Sequence, residues 1–359
     1  MRQHSGDDGA PGAPPRVSVV VPVWNGERYL RESLDSILGQ TFGSIEVLVV
    51  DDASTDRTEE IVRSYGQAVR YQRQPLTRGI YGNANDGIAM ARGEFVAIYH
   101  ADDVYAPTIV EREVTFLDRY PQCGAVFSSM IMMDPSGAET GRLVLPPEVT
   151  GDRPLPYPVV LNAMLRHKNR FLMCPSSMVR ASVYRAVGVY RNDEFLNTSD
   201  LDMWLRISRE YPIGVLEQPL FRYRFGHGNS AQKYHQLRTE PERYFSIVDL
   251  HLQQGGLDVA AAEALSAHEA HRSEDALMRA IKAYVLDRLD ESRRILHEVR
   301  PARIVRSRHV QRTRLMLIYL GLQLLVRLPR LPLVARAMSW RWAERRRLMR
   351  GPRPAFTNG

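Results

Sequence analysis

Residues 94–107, EFVAIYHADDVYAP, combine a short apolar run with two adjacent acidic residues. The run from Phe95 to Tyr99 has the length and the β-branched and aromatic content of a buried strand. Asp102 and Asp103 follow at its carboxyl end, where open parallel sheets bind their ligands. Carboxylate oxygens in that place suit Mg²⁺ or Mn²⁺ holding a phosphorylated substrate. The stretch alone also allows the two acids to do no more than cap a helix that begins near Pro107.

The first hundred residues alternate between strand-like and helix-like segments. Residues 16–23, 45–50 and 68–72 are predicted strands, and residues 27–38, 56–65 and 81–91 are predicted helices. Short loops between such segments predict a mostly parallel α/β sheet with helices on both faces. The polar residues that follow these strands should therefore converge at one sheet edge. They are Trp24, Asn25, Asp51, Asp52, Asp102 and Asp103.

Motifs and composition exclude several other classes of protein. No G-x-G-x-x-G follows the first strand and no P-loop motif occurs, which disfavours a dinucleotide oxidoreductase and excludes a P-loop enzyme. The two cysteines, Cys123 and Cys174, make no disulfide framework or zinc motif and favour a reducing, cytoplasmic location. Residues 1–15 lack the apolar segment of a signal peptide and are expected to be a disordered leader. No apolar run of about 18 residues predicts a transmembrane helix.

Two longer stretches carry a family resemblance. Residues 17–58 read VSVVVPVWNGERYLRESLDSILGQTFGSIEVLVVDDASTDRT, and residues 77–103 read TRGIYGNANDGIAMARGEFVAIYHADD. In order and spacing these motifs resemble family 2 glycosyltransferases of the GT-A fold, over about residues 16–230. The resemblance implies a donor half over 16–105, an acceptor half over 106–230, and transfer of a sugar from a nucleotide-diphospho-sugar with inversion.

The resemblance also implies which residues bind the donor. The loop from Pro22 to Asn25 would border the nucleotide together with Glu27. Asp52 would contact the base, with Asp51 as its neighbour. The complete implied set for nucleotide-sugar binding is Pro22, Val23, Trp24, Asn25, Glu27, Asp51, Asp52, Arg78, Asn85, His100, Ala101, Asp102 and Arg224. Within it, Arg78 and Asn85 would face the nucleotide or its phosphates.

The triplet of His100, Ala101 and Asp102 stands at the family's D-x-D signature, which implies that Asp102 binds the metal with Asp103 beside it. His100 departs from the usual aspartate. An imidazole can still hydrogen-bond a ribose or ligate a metal, and the alternative is a histidine that merely ends a strand. The expected cation is Mn²⁺ or Mg²⁺, which would neutralise charge on the departing diphosphate. Such an ion needs only one or two carboxylates, because water and substrate phosphates complete its coordination.

A second polar segment, FLNTSDLDMWLRISR, spans residues 195–209. It resembles the family's E-D-x-D-L-W element, with Ser199 where glutamate is usual. Asp200 matches the catalytic base of inverting members, which would remove the proton of the acceptor hydroxyl. Asp202 is expected to hold the start of the helix, and Trp204 to lie in the core. Acids in a first helical turn are also favoured by the helix dipole, so both aspartates could be caps and nothing else.

Two late strands are predicted within residues 213–225, followed by a polar loop. The resemblance implies that Arg224 contacts phosphate and that His227 contacts the metal or phosphate. The alternatives are an arginine on a strand face and an ordinary loop histidine. The preceding residues 141–174 contain five prolines between 146 and 158 and are expected to form a long irregular loop.

The C-terminal part carries a different signal. Residues 231–300 are predicted to be a helical extension, in which 275–300 faintly resembles one tetratricopeptide-like hairpin. Residues 301–359 hold 14 of the 48 lysines and arginines and one of the 41 acids, a net charge of +13 that leaves −6 for the first 300 residues. The apolar stretch Leu315 to Val326 lies in this basic tail and is too short to span a membrane. It favours attachment to an anionic membrane surface. A core or dimer helix is the alternative, and nucleic acid is disfavoured because no reading motif accompanies the charge.

These observations predict a metal-dependent inverting glycosyltransferase with a glycan or lipid-linked acceptor, acting in surface polysaccharide or glycolipid assembly. It is expected in the cytoplasm, peripheral to the inner face of the cell membrane. The alternative from another class is a catalytically weak member that binds nucleotide-sugar or scaffolds an assembly, for which His100 and Ser199 are the only support. A nucleotidyltransferase is a third reading, because that class also uses carboxylates on an α/β sheet.

Overall fold

The parallel sheet of the first hundred residues forms from the β-branched runs. We describe a computed structural model over residues 14–226, 238–306, 312–328, 331, 333 and 334. Its first elements are β1 (Val17–Val23), α1 (Leu30–Leu38), β2 (Ile45–Asp51), α2 (Thr58–Arg63), β3 (Arg70–Arg73), α3 (Gly79–Met90), β4 (Phe95–Ile98), β5 (Val104–Tyr105) and α4 (Ile109–Arg119). Strands β3, β2, β1 and β4 lie side by side in that order, and each adjacent pair is parallel. His227 lies outside the described residues. The leader predicted over 1–15 also lies outside them, except for its last two residues.

The sheet continues through residues of the acceptor half. The further elements are β6 (Ala125–Met133), β7 (Glu139–Arg142), α5 (Tyr157–His167), β8 (Ser177–Arg180), α6 (Ala181–Val187), α7 (Asn192–Phe195), α8 (Ser199–Glu210) and β9 (Ile213–Arg224). The strand order is β3-β2-β1-β4-β8-β6-β9-β5, with β7 paired to β6. β8 is antiparallel to both β4 and β6, whereas β6 and β9 are parallel. The predicted α/β fold class is confirmed. Each antiparallel pair includes one of the later strands β7, β8 and β9.

Three local predictions differ from the structure. The loop implied to begin at Pro22 begins after Val23 instead, because Pro22 and Val23 continue β1 and pair with β2. β1 can include a proline there because its pairing with β4 ends at Val20. Residues 157–167 are helical rather than irregular, since a proline in the first turn of a helix removes no intrahelical hydrogen bond. The two predicted late strands are one strand, whose register against β6 shifts near Pro219.

The chain divides into two compact units. The first comprises residues 1–160 and 169–225, and the second comprises residues 161–168 and 226–359. The core of the first unit contains the apolar faces of β1, β2 and β4 packed on α1 and α4. All seven residues of β1 are buried, as a central strand covered on both faces requires.

The second unit is helical in its described residues. It contains α9 (Arg243–Gln253), α10 (Ala262–Val285), α11 (Leu289–Glu298), α12 (Pro301–Arg306) and α13 (Arg312–Leu325). Leu277, Tyr284, Ile295, Leu315 and Leu322 meet in its core. The helix–turn–helix predicted over 275–300 is present as the end of α10 followed by α11. None of the described helices is long and apolar enough to cross a membrane.

Candidate active site

The carboxyl ends of β1, β2 and β4 bring three predicted loops to the same edge of the sheet. The backbone N–H of Asp52 donates to the carbonyl of Val23 at 2.8 Å, so the loops after β2 and β1 are joined directly. The backbone N–H of Tyr99 donates to the carbonyl of Val20 at 3.0 Å. This arrangement is the one expected from parallel neighbours, whose carboxyl ends share an edge.

Asp51 and Asp52 are buried, and both organise the backbone around them. The Asp52 carboxylate accepts hydrogen bonds from the N–H groups of Arg78 at 2.5 Å and Gly79 at 3.0 Å. It therefore satisfies donors at the start of α3, where the helix dipole also favours negative charge. The Asp51 carboxylate accepts from the N–H of Ser54 and from the hydroxyl of Tyr71. The predicted contact of Asp52 with a nucleotide base stays a prediction.

The loop after β1 is fastened to the loop after β2. Asn25 has a left-handed backbone with φ of 50°, a conformation that asparagine tolerates better than most residues. Its side-chain oxygen accepts from the N–H of Thr55 at 2.8 Å. Glu27 accepts from the N–H and side chain of Arg57. Trp24 is exposed at this edge, so its ring is the part of the loop that is open to a ligand.

Two further residues implied in donor binding have structural partners. Nη1 of Arg78 donates to both carboxylate oxygens of Asp86, at 2.7 and 2.9 Å. The Asn85 amide donates to the carbonyl of Tyr190 at 2.8 Å and accepts from its N–H at 3.0 Å. This reciprocal pair fixes Tyr190, whose ring packs against Trp204 and Tyr81. Their predicted contacts with the nucleotide or its phosphates remain predictions.

His100, Asp102 and Asp103 form the acidic loop, a group whose potential ligand atoms all lie within 4.8 Å of one another. Nε2 of His100 and Oδ2 of Asp103 are buried and have no hydrogen-bond partner among the described residues. Burial lowers the pKa of His100, although Asp102 acts in the opposite direction. Burial also raises the pKa of Asp103, and the charge of Asp102 raises it further. A neutral imidazole and two carboxyl groups fit a divalent cation, and two of their buried atoms are the unpartnered ones.

Arg224 holds the acidic loop in place. Its backbone N–H donates to Oδ1 of Asp103 at 2.8 Å, and its Nε donates to the carbonyl of Asp102 at 2.9 Å. Its Nη2 donates to the Glu32 carboxylate at 2.6 Å, and its guanidinium lies 4.3 Å from the centroid of the Tyr29 ring. The Asp103 carboxylate therefore accepts a hydrogen bond from the backbone of β9 rather than capping α4. A phosphate contact by Arg224 stays a prediction.

Asp200 begins α8 and is partly exposed. Its carboxylate accepts a hydrogen bond from the hydroxyl of Tyr81, which is itself buried. Burial raises the pKa of Asp200 to about 6, and the hydrogen bonds from Tyr81 and from backbone N–H groups oppose that rise. Asp202 has a different environment: it is fully buried and pairs with Arg206 at 2.8 Å. The two acids therefore have separate roles.

Tyr223 lies within electrostatic range of both Asp200 and the acidic loop. Burial raises the pKa of Tyr223, and the charges of Asp103, Asp102 and Asp200 each raise it further. All three carboxylates are thus close enough to act on one phenol, in agreement with a single site. Trp204 is fully buried against Phe127, which confirms its predicted place in the core.

With this geometry established, comparison with known proteins is informative. The model of glycosyl transferase family 2 matches residues 18–188. This segment belongs to glycosyl transferase family 2. An uncharacterized glycosyltransferase of Rickettsia felis is 31% identical over 61% of the chain and 36% of its own length. The putative glycosyltransferase EpsE of Bacillus subtilis is 29% identical over 58% of the chain and 73% of its own length. The chain spans about a third of the length of two of its Rickettsia relatives, 36% and 35%.

Solved structures share the fold of this protein. TarS 1-349 from S. aureus, in complex with UDP-GlcNAc, aligns with a TM-score of 0.56 at 18% identity, covering 84% of this chain and 87% of that one. Mannosyltransferase PcManGT from Pyrobaculum calidifontis, in complex with GDP-Man and Mn2+, aligns with a TM-score of 0.50 at 19% identity, covering 87% and 81%. The fold is of the GT-A type, as the sequence resemblance implies.

Several residues of this site carry no sequence signal of their own. Tyr81 lies inside the recognised motif of α3, but nothing in its spacing connects it with Asp200. Tyr223 and Glu32 are likewise brought to the site by β9 and α1. Tyr223 could have been placed at the site only through knowledge that β9 runs beside β6.

Proposed function

We propose that this protein is a metal-dependent inverting glycosyltransferase. It would move a sugar from a nucleotide-diphospho-sugar to a hydroxyl of a glycan or lipid-linked acceptor, in surface polysaccharide or glycolipid biosynthesis. The observation that carries the proposal is the cluster of His100, Asp102 and Asp103 after β4, whose potential ligand atoms all lie within 4.8 Å of one another. Two structural neighbours support it, since TarS was solved with UDP-GlcNAc and PcManGT with GDP-Man and Mn2+.

Asp102, Asp103 and His100 would hold Mn²⁺ or Mg²⁺ at the donor. When bound, such an ion supplies positive charge against the diphosphate as the glycosidic bond breaks. Arg224 would keep the acidic loop in register through its bonds to Asp103 and to the carbonyl of Asp102. Because buried contacts hold the metal-binding side chains, these side chains keep their orientation when substrate binds.

Asp200 would act as the general base. Inversion needs the acceptor oxygen to attack the anomeric carbon on the side opposite the leaving diphosphate, with its proton taken up by a nearby group. A carboxylate whose pKa is about 6 is ionised at neutral pH and is still a better proton acceptor than an exposed aspartate. Tyr81 would orient this carboxylate by its hydrogen bond.

The location we propose is the cytoplasm. Both cysteines, Cys123 and Cys174, are free and buried, which suits a reducing compartment. Burial raises the pKa of the Cys123 thiol to about 11. That thiol is therefore a packed apolar group rather than a reactive one.

A panel of nucleotide-sugar donors tests the proposed function. Release of nucleoside diphosphate, measured with Mn²⁺ or Mg²⁺ and with EDTA, should depend on the metal and should accompany transfer of isotope-labelled sugar. Asp193→Asn is the matched control for substitutions of Asp102 and Asp200, since Asp193 is an exposed acid of helix α7.

Each other outcome contradicts the proposal. Release of pyrophosphate would indicate a nucleotidyltransferase. Donor binding with no transfer to any glycan or lipid would indicate a weak member with a binding or scaffolding role, which the off-pattern residues His100 and Ser199 favour.

A further inference from the structure

Helix α13 is apolar on two opposite faces. Leu315, Leu322 and Val326 are buried in the core of the second unit. Leu317, Leu320 and Leu324 are 66%, 53% and 65% exposed. Residues separated by three, four and seven positions share one face of a helix. The exposed leucines therefore form a continuous strip along α13, which we call the leucine ridge.

The leucine ridge is not explained by packing within the described chain. The core-facing side of α13 already provides the contacts that hold the helix, because Leu315 and Leu322 are almost fully buried. Gly321 lies on the exposed side, and a Cβ added there would meet nothing within 4 Å. Leu328 extends the exposed apolar surface past the end of the helix. Contiguous exposed apolar surface of this kind marks an interaction site.

Positive charge stands at both ends of the leucine ridge. Arg312 and Arg314 are exposed before it, and Arg327 is exposed after it. Residues 301–359 as a whole carry 14 arginines and one acid. An apolar strip flanked by arginines matches the boundary of an anionic bilayer, where leucines enter the acyl region and cations remain at the headgroups.

The charge also argues against two protein occupants. A symmetric dimer would apply the same surface to itself and would bring the arginines of both copies together. Residues 335–359 of this chain add seven arginines and one glutamate, so they too would place positive charge beside positive charge. Repulsion of this kind is absent at an anionic lipid surface.

We propose that the leucine ridge docks the second unit on an anionic membrane surface, with α13 lying in the plane of the interface. The helix covers 14 residues, which is too short to span a bilayer. The attachment is therefore interfacial and reversible. This inference does not depend on the proposed transferase activity.

Co-sedimentation of the full chain with vesicles tests the inference. One set of vesicles contains phosphatidylcholine alone, and the other contains equal parts of phosphatidylcholine and phosphatidylglycerol. The full chain should pellet with the anionic vesicles and much less with the neutral ones. The double variant Leu317→Gln/Leu324→Gln should lose about tenfold or more in apparent affinity, since two leucines no longer enter the apolar layer. Its matched control is Leu257→Gln, because Leu257 is 56% exposed in the same unit but lies away from the ridge.

A second pair of variants tests the charge. Arg312→Gln/Arg327→Gln should weaken binding to anionic vesicles about tenfold or more, because each basic residue near the surface contributes appreciably. Arg294→Gln, an exposed arginine of α11, should leave binding unchanged. Circular dichroism and thermal melting of each variant confirm that the fold is retained, as expected for exposed positions.

Three results would overturn the inference. The first is equal pelleting of the full chain with both kinds of vesicle. The second is equal pelleting of the ridge variant and the unsubstituted chain. The third is a dimer in analytical ultracentrifugation that the ridge variant abolishes, which would assign the leucine ridge to a second copy of the chain.

Discussion

Two buried polar atoms define the chemistry of the acidic loop. Nε2 of His100 and Oδ2 of Asp103 have no hydrogen-bond partner among the described residues. Burying such atoms without a partner costs free energy, and a ligand that binds both would recover it. The neighbouring Asp102 is partly exposed, so it can reach an ion and the diphosphate together.

Asp102→Asn should therefore abolish metal-dependent transfer while the fold survives. Removing one charged ligand is expected to lower the rate by at least about a hundredfold, since the ion supplies several kcal/mol of transition-state stabilisation. Nucleoside diphosphate release over a Mn²⁺ titration measures the loss, and thermal melting measures the fold. Near-normal turnover in this variant, or full activity of the unsubstituted enzyme in EDTA, would contradict the assignment.

Asp200→Asn should retain the donor and lose the rate. An amide cannot take up the acceptor proton, so turnover is expected to fall by roughly 10²–10⁴. Calorimetric titration with nucleoside diphosphate and Mn²⁺ measures donor affinity independently. Were donor affinity to fall together with the rate, Asp200 would belong to the donor side or to the fold.

Tyr81→Phe should move the pH dependence of the reaction. The base must be ionised, so kcat/KM should rise with pH through about 6, the pKa to which burial brings Asp200. The hydrogen bond from Tyr81 lowers the pKa of Asp200. Its loss should raise that pKa and shift the acid limb of the profile to higher pH. Tyr120→Phe is the control, and an unmoved acid limb in Tyr81→Phe would show that this hydrogen bond does not set the base.

The sequence predicts the acids of the site better than their supports. Asp102 and Asp103 follow an apolar run and Asp200 opens a helix with one apolar face, so local patterns locate them. The resemblance names Arg224 as a phosphate contact, but its bonds to Asp103 and Asp102 are recognisable only when β9 is placed in the fold. Tyr81 is likewise recognisable only when α3 is placed. Their contacts connect residues far apart along the chain. The periodicity of apolar residues in a single sequence does not reveal such contacts.

At the scale of elements, continuous β-branched runs predict β1, β2 and β4 because central parallel strands are buried on both faces. Two later elements depend on their surroundings. The prolines near Tyr157 indicate a loop, yet they lie before or within the first turn of α5, where proline is tolerated. The reversed direction of β8 between β4 and β6 is a property of the whole sheet, which local propensity does not encode.

Gly87 illustrates how closely α3 packs on the sheet. A Cβ at this position would lie 2.2 Å from Cγ1 of Val20 and 3.2 Å from Cγ2 of Val50. Gly87→Ala should therefore destabilise the protein by about 1–3 kcal/mol through overpacking, although alanine is the better helix former. Gly321→Ala is the matched control in α13, where the added Cβ is free, and it should stabilise by about 0.5–1 kcal/mol. Urea denaturation of both variants measures the difference, and a neutral Gly87→Ala would show that α3 moves freely on the sheet.

At the scale of the whole molecule, the two units differ in net charge and have separate cores. The site lies among residues of the first unit, whereas the helical core and the leucine ridge belong to the second. The first 300 residues carry −6 and the remainder +13. The proposed donor chemistry and the proposed surface attachment thus belong to different parts of the chain, and a change in one core need not alter the other function.

Leu277→Ala tests this separation. Leu277 is fully buried in the core of the second unit, and its truncation should destabilise that unit by about 2–5 kcal/mol. Differential scanning calorimetry should show a lower transition temperature for the second unit. Nucleoside diphosphate with Mn²⁺, added at about a hundred times its dissociation constant, should raise the other transition, because ligand binding at that level contributes about 2.7 kcal/mol to the unit that binds. Leu257→Ala, at an exposed position of the second unit, should change neither transition. A single transition that moves with both the ligand and Leu277→Ala would show instead that the two cores unfold together, and donor affinity would then fall with the stability of the helical unit.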